Sequence, residues 1–270
     1  MTLQNEGFLD ISGQRLEYRM IGPRPDQAPT IVMLHEGLGC VGMWNSFPDG
    51  LAKATGAGVF VYSRAGYGKS SPVMLPRPLS YMHNEAHETL PRVLSEIGFR
   101  RGLLLGHSDG ASIATIYAGS VQDHRIRGLV LIAPHFFVED VSIKAAEEMK
   151  GDYAQTDLRE KLGRHHADAD NAFRGWNDAW LDPDFRAWNT IEELAYIRVP
   201  ILIVQGEDDQ HGTVAQVEMA QEECYCPVDV ALLPNARHCP HREAPEATLK
   251  AVADFANRIL HGHEEAAFAA

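Results

Sequence analysis

Two kinds of hydrophobic pattern alternate along the chain: short continuous apolar runs, and stretches in which apolar residues recur every three or four positions. Continuous runs are typical of strands that are buried on both faces of a parallel sheet. The runs occupy residues 30–35, 59–62, 102–106, 128–132 and 201–205, and a further strand pattern, which Asp229 interrupts, occupies residues 228–233. The helical patterns occupy residues 44–54, 80–97, 109–120, 214–222 and 246–260. Their alternation predicts an α/β fold, in which helices cover both faces of a mostly parallel sheet.

Turn and break signals refine this pattern at two places. Strand patterns at residues 8–11 and 15–20 flank Ser12 and Gly13, a combination that predicts a β-hairpin near the start of the chain. Pro91 lies inside the helical pattern at residues 80–97. Because proline has no backbone N–H to donate, we expect it to kink that helix or to split it into two pieces.

Residues 137–196 break the alternation, because they contain no convincing strand pattern. They carry 14 acidic against 7 basic residues and three of the four tryptophans. Phe173, Trp176 and Trp180 fall on one face of a helix. We therefore predict a core formed by residues 1–136 and 197–270, with a helical insertion at 137–196 whose rings pack on the core and in part reach the functional site. We also expect the acidic surplus to disfavour a highly anionic substrate, such as a nucleotide-linked acyl group.

Composition and charge exclude several classes of protein. Hydrophobic residues make up 45% and charged residues 23% of the chain, which is ordinary globular usage. The net charge of −13 argues against binding nucleic acid through clustered cations. No apolar run approaches the ~18 residues of a membrane-spanning helix, and the first residues lack the basic and apolar regions of a secretory signal. We expect a cytoplasmic protein that acts without a membrane or a nucleic-acid partner.

The cysteines are better explained as reduced thiols than as disulfides or zinc ligands. Cys224 and Cys226 flank a single residue, which is poor geometry for a mutual disulfide, and a chain of this size needs no covalent staples. Cys239 lies between His238 and His241, so a metal site there is an alternative. No paired Cys-x-x-Cys spacing supports it, and we expect no metal and no organic cofactor.

The strongest chemical signal is Gly106-His107-Ser108-Asp109-Gly110, which follows an apolar strand and opens a helix of small residues. A G-x-S-x-G nucleophile elbow requires this strand–turn–helix setting. The turn is so tight that side chains two residues before and after the serine would clash, and glycine removes the clash. The Ser108 hydroxyl would then stand at the positive end of the helix dipole, where developing negative charge is favoured.

A serine hydroxyl is a weak nucleophile that needs a base, and the base needs an orienting acid. In this architecture the three residues follow in the order Ser, acid, His. The loop after the strand at 201–205 offers Asp208 and Asp209, of which we prefer Asp209 as the acid. The loop after the last strand supplies His238 as the base. His241 is its competitor and is expected to help shape the site entrance.

The negative charge that develops during acyl transfer needs preorganised N–H donors. One candidate is the backbone N–H of Asp109, directly after the serine. The other lies in the glycine-rich loop that follows the strand at 30–35, where Gly37 is preferred over Glu36 and Gly39. We expect the substrate itself to meet residues of this loop and of the insertion. These candidate substrate-binding residues are His35, Glu36, Trp176, Trp180 and His241.

The motifs LHEGLG, YSRAGYGKS, LLLGHSDG, ILIVQGEDD and HCPH, in that order, resemble the α/β-hydrolase fold family along essentially the whole chain. The resemblance implies an eight-stranded, mostly parallel core with a helical cap at 137–196, inserted after the sixth strand. It also implies Ser108 as nucleophile, Asp209 as acid, His238 as base, and the N–H groups of Gly37 and Asp109 as oxyanion donors. A serine at the elbow argues against dehalogenases and epoxide hydrolases of this fold, which use an aspartate there.

Three functions fit these residues. The first is a cofactor-free serine hydrolase that cleaves carboxylic esters of small or medium-sized substrates through an acyl-enzyme. The second keeps the same three residues but cleaves a C–C bond, a lactone or a thioester, since fold and constellation do not fix the substrate. The third is a non-catalytic ligand receptor built on the same scaffold. We expect a small-molecule partner; the oligomeric state stays open, with a homodimer as one option.

Overall fold

The computed structural model describes the backbone of residues 3–268 and the side chains of residues 3–262. Eight strands form one sheet. They are β1 (Glu6–Ile11), β2 (Gln14–Ile21), β3 (Thr30–Leu34), β4 (Gly58–Tyr62), β5 (Gly102–His107), β6 (Ile126–Ile132), β7 (Ile201–Gly206) and β8 (Val228–Leu233). The strands predicted from apolar runs are therefore confirmed, with bounds that differ by at most two residues.

The helices follow the predicted alternation. They are α1 (Phe47–Thr55), α2 (Tyr81–Asn84), α3 (Leu90–Glu96), α4 (Asp109–Ser120), α5 (Asp140–Gln155), α6 (Leu158–Gly163), α7 (Ala169–Trp180), α8 (Ile191–Tyr196), α9 (Ala215–Glu223), α10 (Pro240–Glu243) and α11 (Pro245–Phe268). Short 3₁₀ turns occupy Val41–Trp44 and Pro183–Ala187, and a π turn occupies Glu85–Thr89. The last of these helices, α11, ends eight residues after the predicted end at residue 260.

The strand order is β1-β2-β4-β3-β5-β6-β7-β8. β1 pairs antiparallel with β2, and β2 pairs antiparallel with β4, whereas all remaining neighbours are parallel. The carboxyl ends of β3, β5, β6, β7 and β8 therefore meet at one edge of the sheet. In an open parallel sheet this edge is where loops gather functional groups.

The hydrophobic core forms two layers, because alternate residues of each buried strand point to opposite faces. Leu104 faces the layer that contains helices α3 and α4, whereas Leu103 and Leu105 face the layer of α1 and α11. All six residues of β5 are buried, as are those of β3, β4 and β7. A sheet covered on both faces explains why these strands are continuously apolar.

Two local expectations are confirmed. Ser12 and Gly13 both have positive φ, of 55° and 82°, as the two-residue turn between β1 and β2 requires. The segment that contains Pro91 is split: α2 ends at Asn84, a π turn follows, and α3 begins one residue before the proline. Because Pro91 cannot donate to a carbonyl four residues earlier, the regular α-helical bonding pattern is interrupted there.

Between β6 and β7 the chain forms the helices α5–α8, and no strand occurs at residues 137–196, all of which the structure describes. The division of the chain into a core and a separate cap remains a prediction. Among the described residues, no helix combines the length and the apolar character needed to cross a membrane. The four cysteines are free thiols.

Candidate active site

Ser108 occupies a sharp turn between β5 and α4. Its backbone φ is 52° and its ψ is −118°, a strained conformation for a residue with a side chain. A Cβ on Gly106 would lie 2.2 Å from the Gly110 carbonyl oxygen, and one on Gly110 would lie 2.1 Å from the Leu34 carbonyl oxygen. Only glycine fits at either position, so the turn has the tight geometry expected of a nucleophile elbow.

The structure brings Ser108, His238 and Asp209 together from three distant loops. His238 Nε2 lies 2.9 Å from Ser108 Oγ, and His238 Nδ1 lies 2.9 Å from both carboxylate oxygens of Asp209. With its proton on Nδ1, His238 donates to Asp209 and can accept the Ser108 proton at Nε2. Asp208, the alternative acid, is exposed to solvent. Of the two candidates, the geometry therefore places Asp209 next to the imidazole.

The Asp209 carboxylate is held by more than the imidazole. It accepts hydrogen bonds from the backbone N–H of His211 at 2.7 Å and of Gly212 at 3.2 Å, and from the side-chain amide of Gln205 at 2.8 Å. Burial alone would raise the pKa of Asp209, but the charge of His238, the hydrogen bond from its ring and the hydrogen bond from the His211 backbone lower it well below its usual range. The carboxylate therefore stays ionised and fixes the orientation of His238.

The loop after β3 contains backbone N–H groups that make no hydrogen bond within the described chain, those of Glu36 and Gly37 among them. Within the described chain, neither the Gly37 N–H nor the Asp109 N–H donates a hydrogen bond, whereas the Gly39 N–H is occupied by the Glu36 carbonyl at 3.1 Å. The indole of Trp176 covers Gly37 so closely that a Cβ there would lie 2.2 Å from its ring. The two preferred oxyanion donors are thus available, and Gly39 is not.

A buried charge pair connects the elbow to this loop. The Arg64 guanidinium, on a side chain that is 1% exposed, donates to the carbonyl oxygens of His35 at 3.2 Å and Glu36 at 3.0 Å. It also lies 3.9 Å from a carboxylate oxygen of Asp109, which accepts from the Tyr81 hydroxyl at 2.6 Å. Both segments that carry the candidate oxyanion donors are therefore tied to one guanidinium.

Three further histidines surround His238. The ring of His211 lies 4.5 Å from it and that of His135 lies 5.5 Å away, centroid to centroid, while His107 Nε2–H donates to the His238 carbonyl oxygen at 2.7 Å. Burial, and then the charge of His238, lower the pKa of His135 to about 3 and that of His211 to about 2. Both rings are therefore neutral and do not repel a protonated His238.

Sequence reasoning did not single out His135, His211 or Arg64. His135 follows β6 at the carboxyl edge of the sheet, a position that could have drawn attention to it. His211 lies two residues after the predicted acid. Arg64 lies in the loop after β4, and nothing in its sequence context shows that it is buried.

A cavity of about 550 Å³ opens over Ser108 and His238, within the size range of small-molecule sites. Of the predicted substrate-binding residues, Glu36, Trp176 and Trp180 line it. Burial raises the pKa of Glu36, but the hydrogen bond and charge of His107 lower it further, so that it lies well below its usual range. The Glu36 carboxylate lies 3.4 Å from His107 Nδ1, so its charge is directed at that ring.

The structure corrects two of the predicted substrate-binding residues. His35 is completely buried, and its ring is held between the Glu36 carbonyl oxygen and the Arg64 backbone N–H, so it supports the loop from behind. His241 is 4% exposed and packs against the rings of Trp44 and Phe47, away from the cavity over Ser108. Proximity along the chain to the functional loops did not determine where these two rings point.

A serine elbow, a histidine and a carboxylate in hydrogen-bonding sequence, at the carboxyl edge of a mostly parallel sheet, define the class of α/β hydrolases. The chain belongs to the alpha/beta hydrolase family, whose model matches residues 31–251. The resemblance that the sequence motifs indicate is thereby confirmed.

Similar proteins in this family have different activities. A proline iminopeptidase of Lactobacillus acidophilus is 26% identical over 76% of this chain and 82% of its own. The enol-lactonase of Burkholderia xenovorans has a TM-score of 0.73 at 21% identity, covering 92% of this chain and 99% of that one. An esterase from Rhodococcus has a TM-score of 0.68 at 18% identity, covering 95% and 100%. At these identities the two solved structures show the shared fold alone.

Proposed function

We propose that the protein hydrolyses carboxylic esters of small or medium-sized substrates, with Ser108 as the nucleophile. The observation that carries this proposal is the set of three 2.9 Å contacts that link Asp209 to His238 and His238 to Ser108, of which the last two residues line the cavity. This arrangement can activate a hydroxyl without a metal or an organic cofactor.

In the proposed reaction, His238 Nε2 takes the Ser108 proton as the serine oxygen attacks the ester carbonyl carbon. Negative charge develops on the carbonyl oxygen and is stabilised by the N–H groups of Gly37 and Asp109. Asp209 stabilises the imidazolium. The leaving alcohol then takes the proton from His238, and an acyl group remains on Ser108. A water molecule, deprotonated by His238, attacks this acyl group. The bond to Ser108 Oγ then breaks, His238 returns the proton to Ser108, and the carboxylic acid departs.

The charge of the cavity favours an ester over the substrate of the iminopeptidase relative. The free N-terminal amine of a peptide is positively charged, and a site that binds it needs a carboxylate nearby. Glu36 is the single acidic residue among the described residues that line the cavity, and its charge is directed at His107. The 26% identity to the Lactobacillus acidophilus enzyme makes a peptidase the second candidate. Lactones, thioesters and C–C bonds remain chemically accessible to the same three residues.

A substrate panel on purified variants tests the proposal. The panel contains p-nitrophenyl acetate and butyrate, a prolyl-p-nitroanilide, a γ-lactone, a thioester and a vinylogous 1,5-diketone. Ser108→Ala should lower kcat for the best ester by at least about 10³-fold. Ser46→Ala, which changes an exposed serine outside the cavity, serves as the matched control and should retain wild-type rates.

Full ester turnover by Ser108→Ala would refute the role of Ser108. Cleavage of the prolyl anilide with a kcat/KM well above that of every ester would instead favour the peptidase. A folded protein that cleaves none of these compounds and whose Ser108 does not react with a fluorophosphonate would be a ligand receptor on a hydrolase scaffold.

A further inference from the structure

The cavity over Ser108 is basic at its wall although the chain is strongly acidic. Lys161, Arg164 and Arg242 line it, with Glu36 as the opposing charge. Residues 137–196 contribute much of the lining, yet none of their 14 acidic residues, all of which the structure describes, is part of it. The local charge at the cavity is therefore opposite in sign to the net charge of the segment that covers it.

Five acidic side chains of this segment form ion pairs with cations of the same segment. Four of these cations lie outside the cavity lining, and the fifth, Lys161, belongs to it. These pairs are Asp140–Arg186, Glu148–Lys144, Asp157–Lys161, Asp170–Arg159 and Asp178–Arg174. The expectation that the acidic surplus disfavours an anionic substrate assumed that these carboxylates face the site, and the structure shows that they do not.

Arg164 and Arg242 have no carboxylate within 4.0 Å among the described residues, although the charge of Asp157 acts on Arg164 and those of Glu36 and Glu243 act on Arg242. Among the described side chains, Arg164 has no ion-pair partner within 4.0 Å, and the Arg242 guanidinium donates to the thiol sulfur of Cys239 at 2.9 Å. Lys161 differs, because Asp157 lies 2.9 Å from its ammonium group. Two guanidinium groups thus border the cavity with donors available for a ligand, and planar guanidinium suits a carboxylate better than any other side chain does.

Beside the catalytic candidates and several polar groups, apolar side chains form a large part of the cavity wall. They are Leu38, Met43, Met149, Leu158, Leu162, Trp176 and Trp180. A substrate that fills the cavity would meet apolar side chains along its length and guanidinium groups where it approaches Arg164 or Arg242. An uncharged ester would leave both guanidinium groups, which are exposed, hydrated by water rather than paired with the substrate.

We infer that the substrate is an ester whose apolar body carries an anionic group, a carboxylate, away from the ester bond, where Arg164 and Arg242 bind it. This inference rests on the proposed ester hydrolysis and names the substrate class of the same site. The two arginines are specificity-determining residues that touch the substrate and take no part in bond cleavage.

Two matched pairs of esters test the inference. In the first pair, mono-p-nitrophenyl adipate carries a carboxylate on the acyl side and p-nitrophenyl hexanoate is its neutral partner. In the second pair, 4-acetoxybenzoate carries a carboxylate on the alcohol side and phenyl acetate is its neutral partner. For at least one pair, kcat/KM of the wild type should be at least about fivefold higher for the anionic ester after subtraction of spontaneous hydrolysis. That ratio should shrink in about 0.5 M NaCl, because salt screens the charges.

Arginine variants then locate the recognition. Arg164→Gln and Arg242→Gln should each lower the anionic-to-neutral ratio, together returning it to about one. Arg174→Gln is the matched control, because this exposed arginine of the same segment pairs with Asp178 outside the cavity, and it should keep the wild-type ratio.

A ratio of one or less for both pairs in the wild type overturns the inference, as does a preference that neither cavity arginine affects. In both cases Ser108-dependent hydrolysis of the neutral esters would still support the proposed function. Absence of Ser108-dependent hydrolysis with all four esters would refute the proposed function itself, so the two failures are distinguishable.

Discussion

Replacing Arg64 with methionine should both destabilise the fold and slow the reaction. The guanidinium lies 3.9 Å from the Asp109 carboxylate in a site where both side chains are at most 2% exposed. With an effective dielectric constant of ~20, two unit charges at that distance attract by about 4 kcal/mol. Removing one partner leaves a buried, uncompensated charge, and we expect a loss of about 3–5 kcal/mol in the free energy of unfolding.

The activity should fall in addition, because Arg64 holds the two carbonyl groups that precede Gly37 in the oxyanion loop. Urea denaturation and ester kinetics of Arg64→Met, Asp109→Asn and the double variant give a double-mutant cycle. We expect the double variant to be at least about 2 kcal/mol more stable than the sum of the single losses implies, since it removes both charges of the Arg64–Asp109 pair.

Arg19→Met is the matched control for this cycle. Arg19 pairs with Asp49 at 2.7 Å, a shorter contact, but both side chains are more than a third exposed. Exposed pairs contribute less than about 1 kcal/mol. If Arg64→Met cost no more than Arg19→Met, or if the cycle showed no coupling, then Arg64 and Asp109 would not form the buried connection described above.

Two further perturbations test the interior of the site. Burial lowers the pKa of His135 and His241 to about 3 and that of His211 to about 2. In the unfolded chain each of these histidines has a pKa of about 6.5. Below about pH 6.5 the folded state therefore binds fewer protons than the unfolded state. The free energy of unfolding should therefore fall by about 1.4 kcal/mol per pH unit for each histidine as the pH drops from about 6.5 towards 3, and an unchanged urea midpoint between about pH 7.5 and 5 would contradict this. The Cβ of Gly110→Ala would lie 2.1 Å from a β3 carbonyl oxygen, so this variant should lower the free energy of unfolding by about 1–3 kcal/mol or more. Gly151 lies in α5 with open space around it, so Gly151→Ala should raise the free energy of unfolding by about 0.5–1 kcal/mol. Equal melting temperatures for these two variants would show that the elbow tolerates a side chain.

The framework and the serine elbow could be predicted because their signals are local. β7 begins at its predicted residue and ends one residue after its predicted end, since a run of apolar residues between turns defines a strand by itself. Ser108 is recognisable from two glycines and the strand before it. The chain order Ser, acid, His then limits the search to two short loops, and within the first of them, the acid loop, only the structure separates Asp208 from Asp209.

Side-chain direction and pairing could not be predicted in the same way. His35 lies next to the candidate oxyanion loop in sequence, yet its ring points to the Arg64 backbone. The charge of the cavity wall depends on which cations of the insertion find carboxylate partners, and that is decided by distances between helices. The net charge of a segment averages over these distances and therefore gave the wrong sign at the site.

The central claim is that Ser108 is an activated nucleophile, and covalent labelling tests it most directly. Folded wild-type protein treated with a fluorophosphonate should gain one adduct per chain, which peptide mapping by mass spectrometry should place on Ser108. His238→Gln should label at least about 10²-fold more slowly, because the base is lost. An unlabelled Ser108, or equally fast labelling of wild type and His238→Gln, would contradict the account.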